Sequence, residues 1–185
     1  LATDVVELAG LADMNVTDLQ KALTGKRVSL SPSISGNSES LSGSSTVKDL
    51  ETLLQLNYLY FTAPRRDEES YQTLISILES QLANRDKNPK VAFNDSIQMM
   101  TSNNSERTVI INKKLLEKVS LDKALEVYKA RFANPADFTF FFVGNVNPED
   151  AAFKAQVCQW LGGLKANKKK EKVVDHQVRV PLGKQ

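Results

Sequence analysis

Histidine and cysteine are nearly absent from this chain: His176 and Cys158 are the only ones among 185 residues. A single histidine rules out a zinc site built on two imidazoles of the same chain, and a single cysteine rules out an intrachain disulfide or a Cys-rich zinc site. No apolar stretch approaches the roughly 20 residues that a membrane-spanning helix needs. Charge of one sign is also lacking. The 24 basic and 22 acidic residues leave a net charge of +2, so the overall balance demands no nucleic acid, anionic membrane or acidic ligand. The opening Leu1-Ala-Thr-Asp has no initiator Met and no basic region leading into an apolar segment, which reads as an excised fragment without a signal peptide.

The usual catalytic patterns are missing as well. Serines are plentiful, but none lies in a Gly-x-Ser-x-Gly elbow. Gly144-Asn-Val-Asn-Pro lacks the Gly-Lys-Ser/Thr ending of a phosphate loop and reads as a tight strand-to-helix turn. Asp67, Glu68, Glu69 and Glu79 fall at the start and flank of one helix, where solvation and the helix dipole account for them. Cys158 lies between Val157 and Trp160 in an apolar helical pattern and is expected to be a buried structural thiol. His176, in Val174-Asp175-His176-Gln177-Val178, is expected to be a surface or linker histidine. The crowded Lys165, Lys168, Lys169, Lys170 and Lys172 follow a helix without interleaved aromatics, as a solvated linker would. No residue is assigned as catalytic, as a metal ligand or as substrate-binding.

What is present is a succession of elements. Val5, Val6, Leu8 and Leu11 suggest the end of a helix, and Asn15-Val-Thr-Asp opens a second, short one that Gly25 stops. Arg27-Val-Ser-Leu-Ser alternates as a strand, and residues 38–42 return as its neighbour. From Thr46 the period becomes helical through Val47, Leu50, Leu53, Leu54, Asn57 and Phe61, until Pro64. Tyr58 and Phe61 are expected to pack at the end of that helix. A second long helix carries Tyr71, Leu74, Ile75, Leu78 and Leu82 as a stripe for burial. Asn88-Pro89 starts another, with Val91, Phe93, Ile97 and Met100 as packing residues, followed by a polar loop. Leu115 and Leu116 lie in a short helix, and Ser120 opens one carrying Ala124, Leu125, Tyr128 and Phe132.

The densest signal follows, in Asp137-Phe-Thr-Phe-Phe-Phe-Val-Gly-Asn-Val-Asn-Pro-Glu-Asp150. Its β-favouring run is too apolar for a strand with one wet face, so a buried core strand is expected over 138–143. Asn147 as N-cap and Pro148 at the first helical position should then open the last helix. That helix uses Phe153, Val157, Trp160, Leu161 and Leu164 and ends near Gly162-Gly163. The architecture expected is α+β, an antiparallel β-sheet packed against several α-helices, with 1–172 as a single domain and 173–185 as an interdomain connector.

Four segments, in order, resemble one domain of the pitrilysin, or insulinase-like, zinc metallopeptidases: Asp18-Leu-Gln-Lys-Ala-Leu-Thr-Gly-Lys26, Ser44-Ser-Thr-Val-Lys-Asp-Leu-Glu51, Leu56-Asn-Tyr-Leu-Tyr-Phe-Thr-Ala-Pro64 and the run from Phe138 to Asp150. The resemblance implies two halves of related α+β domains enclosing a peptide-sized chamber, with zinc in one half only. In that family the metal and base sit on a His-x-x-Glu-His helix. The segment in its place here, 1–11, has no histidine, so those roles do not carry over; nor does the downstream acidic ligand near Glu79. The chain therefore resembles the first domain of the non-catalytic half, with no cofactor of its own and zinc in the parent's catalytic domain. The resemblance further implies other domains of the parent and a peptide as partners, and a bacterial periplasmic or envelope location. It also implies that strands preceding Leu1 are missing; unpaired sheet edges then predict a homodimer of the isolated fragment. The alternative is a structural or assembly module from an inactive parent of the same fold.

Overall fold

The computed structural model describes residues 1–85, 87–167 and 171–183. Among them the chain forms eight α-helices and a two-stranded antiparallel sheet, the α+β class expected. It divides into two compact units, one of Leu1–Tyr71 with Leu121–Glu171 and one of Gln72–Ser120 with Lys172–Gln185.

In the first unit, α1 (Ala2–Ala9) buries Val5, Val6 and Ala9 along one stripe and ends at Gly10. Gly10 is obligatory there. Its φ is +87°, and a Cβ would stand 2.2 Å from the Met14 carbonyl oxygen, so any other residue meets both backbone strain and a clash. Just beyond, buried Leu11 pairs with Met14, and the Ala12 N–H donates to Ala63 O at 2.9 Å. α2 (Val16–Ala22) starts where the sequence placed it, with Asn15 Oδ1 accepting from the Asp18 N–H at 2.9 Å.

The hairpin joins β1 (Val28–Ile34) to β2 (Glu39–Ser45), pairing Val28 with Ser45 and Ile34 with Glu39. Val28, Leu30, Pro32 and Ile34 face inward, whereas Ser29, Ser31 and Ser33 lie exposed opposite Ser44, Ser42 and Ser40. Main-chain bonds join Arg27 to Thr46 at one end of the ladder and Ser35 to Ser38 at the other. Bonded and non-bonded pairs alternate in an antiparallel ladder, so Ser29, Ser31 and Ser33 bond across to β2, and Val28, Leu30, Pro32 and Ile34 turn their main chains to the outer edge. Pro32, which has no N–H, thus sits where a ladder loses nothing by it. Gly43 is required by close approach, since a Cβ would lie 2.2 Å from Ser29 O.

α3 (Leu50–Thr62) follows a 3₁₀ turn, Val47–Asp49. The Thr46 hydroxyl donates to Asp49 Oδ2 at 2.6 Å, and the same oxygen accepts the Arg27 N–H at 3.0 Å, so one carboxylate ties the start of the hairpin to the start of the helix. α3 lies against both strands and against α8 (Ala151–Trp160), and α1 lies against α7 (Leu121–Arg131). α7 buries Leu121, Ala124, Leu125 and Tyr128, and Phe132 is buried just past its end. The stacked rings of Tyr128 and Phe132 have centroids 4.6 Å apart. Phe61 meets Phe132 edge-on at 5.7 Å, and Tyr58 meets Trp160 at 5.9 Å, so both α3 aromatics pack as expected.

Residues 138–143 depart from the sequence reading. They form no ladder with any described residue and no core strand: Phe141 is 83% exposed and Val143 fully so. One side of the segment is nevertheless docked. Phe138 stacks on Phe132 at 5.5 Å and meets Phe61 at 4.9 Å, Phe140 meets Phe61 at 6.3 Å, and Phe142 meets Phe153 at 5.5 Å. The alternation of a strand is therefore present without a strand beside it. The final helix also starts later than expected. Asn147 Oδ1 accepts only the Glu149 N–H in a turn, and Asp150 is the N-cap of α8, accepting from Ala152. Asn147-Pro148 makes a turn of its own and delays the helix by three residues. Cys158 is exposed rather than buried, because it lies one step round the helix from the packed positions Phe153, Val157 and Trp160.

In the second unit, α4 (Glu68–Arg85) enters from the first, and α5 (Pro89–Thr101) begins at Asn88, whose side chain accepts the Lys90 N–H at 3.0 Å. Arg85 clamps Asp95 through two bonds of 2.7 and 2.6 Å. Tyr71 and Leu74 of the expected α4 stripe are buried. On α5 the expectation fails, since Phe93, Ile97 and Met100 are exposed: the helical period fixes their common face and supplies no neighbour to cover it. α6 (Lys113–Leu116) is capped by Asn112 and buries Leu116. Described residues 172–183 adopt neither helix nor strand.

Candidate functional site

The segment that the resemblance sets in the place of a metal-binding helix is α1. Its carboxylates are Asp4 and Glu7. Glu7 is half-buried, and its charge acts on two buried phenols, Tyr60 of α3 and Tyr128 of α7. Burial foremost, and then the Glu7 charge, pushes the Tyr60 hydroxyl up to about 12. Burial followed by the charges of Tyr60 and Glu7 raises Tyr128 further. Both phenols therefore stay protonated at neutral pH and can donate hydrogen bonds but not take a proton. Tyr128 uses its proton structurally, donating to Tyr60 O at 3.1 Å. That carbonyl is one of the last four of α3, which have no acceptor role within the helix.

This cluster does not fit zinc. A zinc site takes imidazole, thiolate and carboxylate donors, whereas the groups on which the Glu7 charge acts are two neutral phenols. Among the described residues no group of three or more His, Cys, Asp or Glu could hold a metal ion. The Glu7–Tyr60–Tyr128 grouping was not visible in the sequence reading, although two tyrosines inside apolar stripes are a signal that each hydroxyl needs a partner.

The other candidates remain dispersed. His176 is exposed, and its neighbour Asp175 is engaged by Arg179 through two contacts, one at 3.1 Å. That pairing, with the Gln177 N–H, draws the Asp175 carboxyl down to about 2. Asp67 accepts the Ser70 N–H at 2.9 Å and pairs with Arg65 at 3.0 Å. Glu68 and Asp122 both reach Arg66, at 3.4 and 2.8 Å. Asp67 and Glu68 thus lie at the start of α4, as their positions suggested, and Glu79 is exposed on α4. Lys165 and Lys172 of the lysine run are exposed, and Lys168, Lys169 and Lys170 lie outside the described residues.

No protein-family model matches the chain. It is 32% identical over 117 residues, 63% of its length, to an Arabidopsis thaliana protein named "Zinc protease PQQL-like". It is 24% identical over 165 residues, 89% of its length, to the Escherichia coli protein "Probable zinc protease PqqL". It spans only 12% and 17% of those two proteins. Among solved structures, the periplasmic protease PqqL of Escherichia coli superposes with a TM-score of 0.79 at 22% identity. The ferredoxin protease FusC, solved as an E83A mutant with Arabidopsis ferredoxin, gives 0.77 at 18%. Each match covers 97% of this chain and 19% of the other. Sequence over most of the chain and fold over nearly all of it thus make this protein a relative of the pitrilysin/insulinase-like zinc metallopeptidases.

Proposed function

We propose that this chain is a non-catalytic domain of a zinc endopeptidase, shaping a peptide-binding chamber while another domain of the same parent supplies the zinc and hydrolyses the peptide bond. The observation that carries this reading is the composition of α1 and its surroundings. The helix that the resemblance sets in the catalytic position has no histidine, and the charge of its carboxylate Glu7 acts on two protonated phenols. The relatives are named zinc proteases and are several times longer, which supports a division of labour between domains. On this reading, residues 1–172 form the pitrilysin-like domain and 173–185 lead to the next. The periplasmic PqqL supports a periplasmic or envelope location for a bacterial parent.

Zinc titration by calorimetry together with a quenched-peptide cleavage assay tests the assignment. The expected result is no stoichiometric zinc uptake and no metal-dependent cleavage by this chain alone. Tight one-to-one zinc binding with chelator-sensitive cleavage overturns it.

A further inference from the structure

We propose that Asn134 and Asp137 form a clasp that anchors the root of the connector, fixing the point at which the chain leaves its first unit. The inference rests on the reading above only in taking 173–185 as the lead to another domain. The clasp is built on the 3₁₀ turn Pro135–Asp137, which Asn134 caps just past the end of α7. Asn134 is a polar side chain only 8% exposed, so its amide needs partners inside the fold. Its Oδ1 accepts the Ala136 N–H at 3.3 Å, closing the turn, and the Asn167 N–H at 3.0 Å. Its Nδ2 donates to Asp137 Oδ2 at 2.9 Å. Asp137 Oδ1 in turn accepts the Glu171 N–H at 2.9 Å.

Three properties make this an anchor rather than surface decoration. The acceptors are set in advance. Flipping the Asn134 amide would turn its NH₂ toward two N–H donors and its oxygen toward a carboxylate, so one orientation is forced, and that orientation aims Asp137. The two main-chain donors are also the right kind of cargo. Asn167 and Glu171 lie outside any helix or strand, so their amides depend on side chains for partners, and the bond to a carboxylate is charge-assisted. Finally, the turn itself is held. It delivers Phe138 onto Phe132 and Phe61 at 5.5 and 4.9 Å, so the clasp stands on the aromatic core of the unit. Buried Leu164, Asn167 and Glu171 are then successive points of attachment along the chain. Arg131 adds an exposed ion pair to Glu171 at 3.3 Å, a contact of the class that contributes little. A following domain would start from a defined place and direction instead of from the loose end of a flexible tether.

Two measurements on this chain test the clasp. Amide hydrogen exchange by NMR reads Asn167 and Glu171 directly, with Leu125 and Tyr128 of α7 reporting whether the fold is intact. Nitroxides on exposed Cys158 and on Val173→Cys, a fully exposed site, report the spread of distances between α8 and the connector by pulsed electron resonance. The expected result is exchange at Asn167 and Glu171 slowed about ten-fold or more relative to an unstructured chain. Asp137→Ala, at an exposed position, should abolish the slowing at Glu171 and broaden the distance distribution, with α7 unchanged. Glu171→Gln, which loses the ion pair and keeps the N–H, should leave both readings as in the parent. Unprotected Asn167 and Glu171 amides in the parent chain, a distribution indifferent to Asp137→Ala, or equal broadening by Glu171→Gln overturns the proposal. None of these outcomes reads zinc or peptide cleavage, so the clasp and the scaffold assignment stand or fall separately.

Discussion

The hairpin of β1 and β2 and the segment 138–143 have opposite compositions and opposite fates. The hairpin is rich in serine, half of it faces solvent, and it forms a full ladder. The phenylalanine-rich segment has the higher strand propensity and no ladder at all. Apolar composition is therefore not what pairs a strand. The hairpin succeeds because its two halves are joined by a four-residue turn, tightened where the Ser35 hydroxyl donates to Ser38 O at 3.0 Å, and because its inner side chains meet α3. The phenylalanine segment obtains its extended shape from the rings beneath it, and nothing among the described residues lies alongside.

That contrast can be broken most forcefully from below. Replacing Phe132, which carries both Phe138 and Tyr128, with Ala should cost about 3–5 kcal/mol, read as a lowered urea midpoint, and should release Phe138 as well. If Phe132→Ala leaves stability within about 0.5 kcal/mol of the parent, the scale of ordinary surface changes, the aromatic platform is not what holds the segment. On the hairpin side, Gly43→Val drives a side chain into Ser29 O and should cost about 1–3 kcal/mol. Hydrogen exchange should quicken across β1 and β2 while the protection of α7 is unchanged.

A titration addresses the same core without mutation. Tyr60 has its hydroxyl raised from 10 to about 12 in the folded chain. The unfolded chain gives up that proton first, so its contribution is complete below pH 10 and declines as the pH rises toward 12. Thermal midpoints should fall over that interval, and less steeply in Tyr60→Phe; parallel profiles would remove the phenol from the account. The smallest change is expected on the open serine face. Ser31→Thr improves strand propensity at an exposed site and should raise stability by at most about 0.5 kcal/mol, with unaltered hairpin chemical shifts.

Helix starts were the most legible part of this fold, because a cap is a local device. Asn15 and Asn88 each hold the amide that their position in the sequence suggested, and Asn112 does the same for α6. The hairpin was legible for the same reason, its partners being close in sequence. Residues 138–143 show where locality ends. Their preference for extension is written in the six residues, but a ladder requires a second strand, and solvent exposure followed from its absence. Cys158 and the α5 residues Phe93, Ile97 and Met100 repeat the lesson for helices, since periodicity names a face and cannot name its neighbour. Of the candidate site, the missing imidazoles were evident from composition. The Glu7–Tyr60–Tyr128 grouping was not, because it joins three elements distant in sequence.

Pro32 gives the hairpin a direction. Its outer edge on β1 carries a gap in the row of amide donors, whereas β2 offers Glu39, Leu41 and Gly43 with their N–H groups intact. A sheet built on this hairpin has a first strand and can lengthen only past its second. One residue thus acts as a terminator, limiting the sheet to one growing side before any partner arrives.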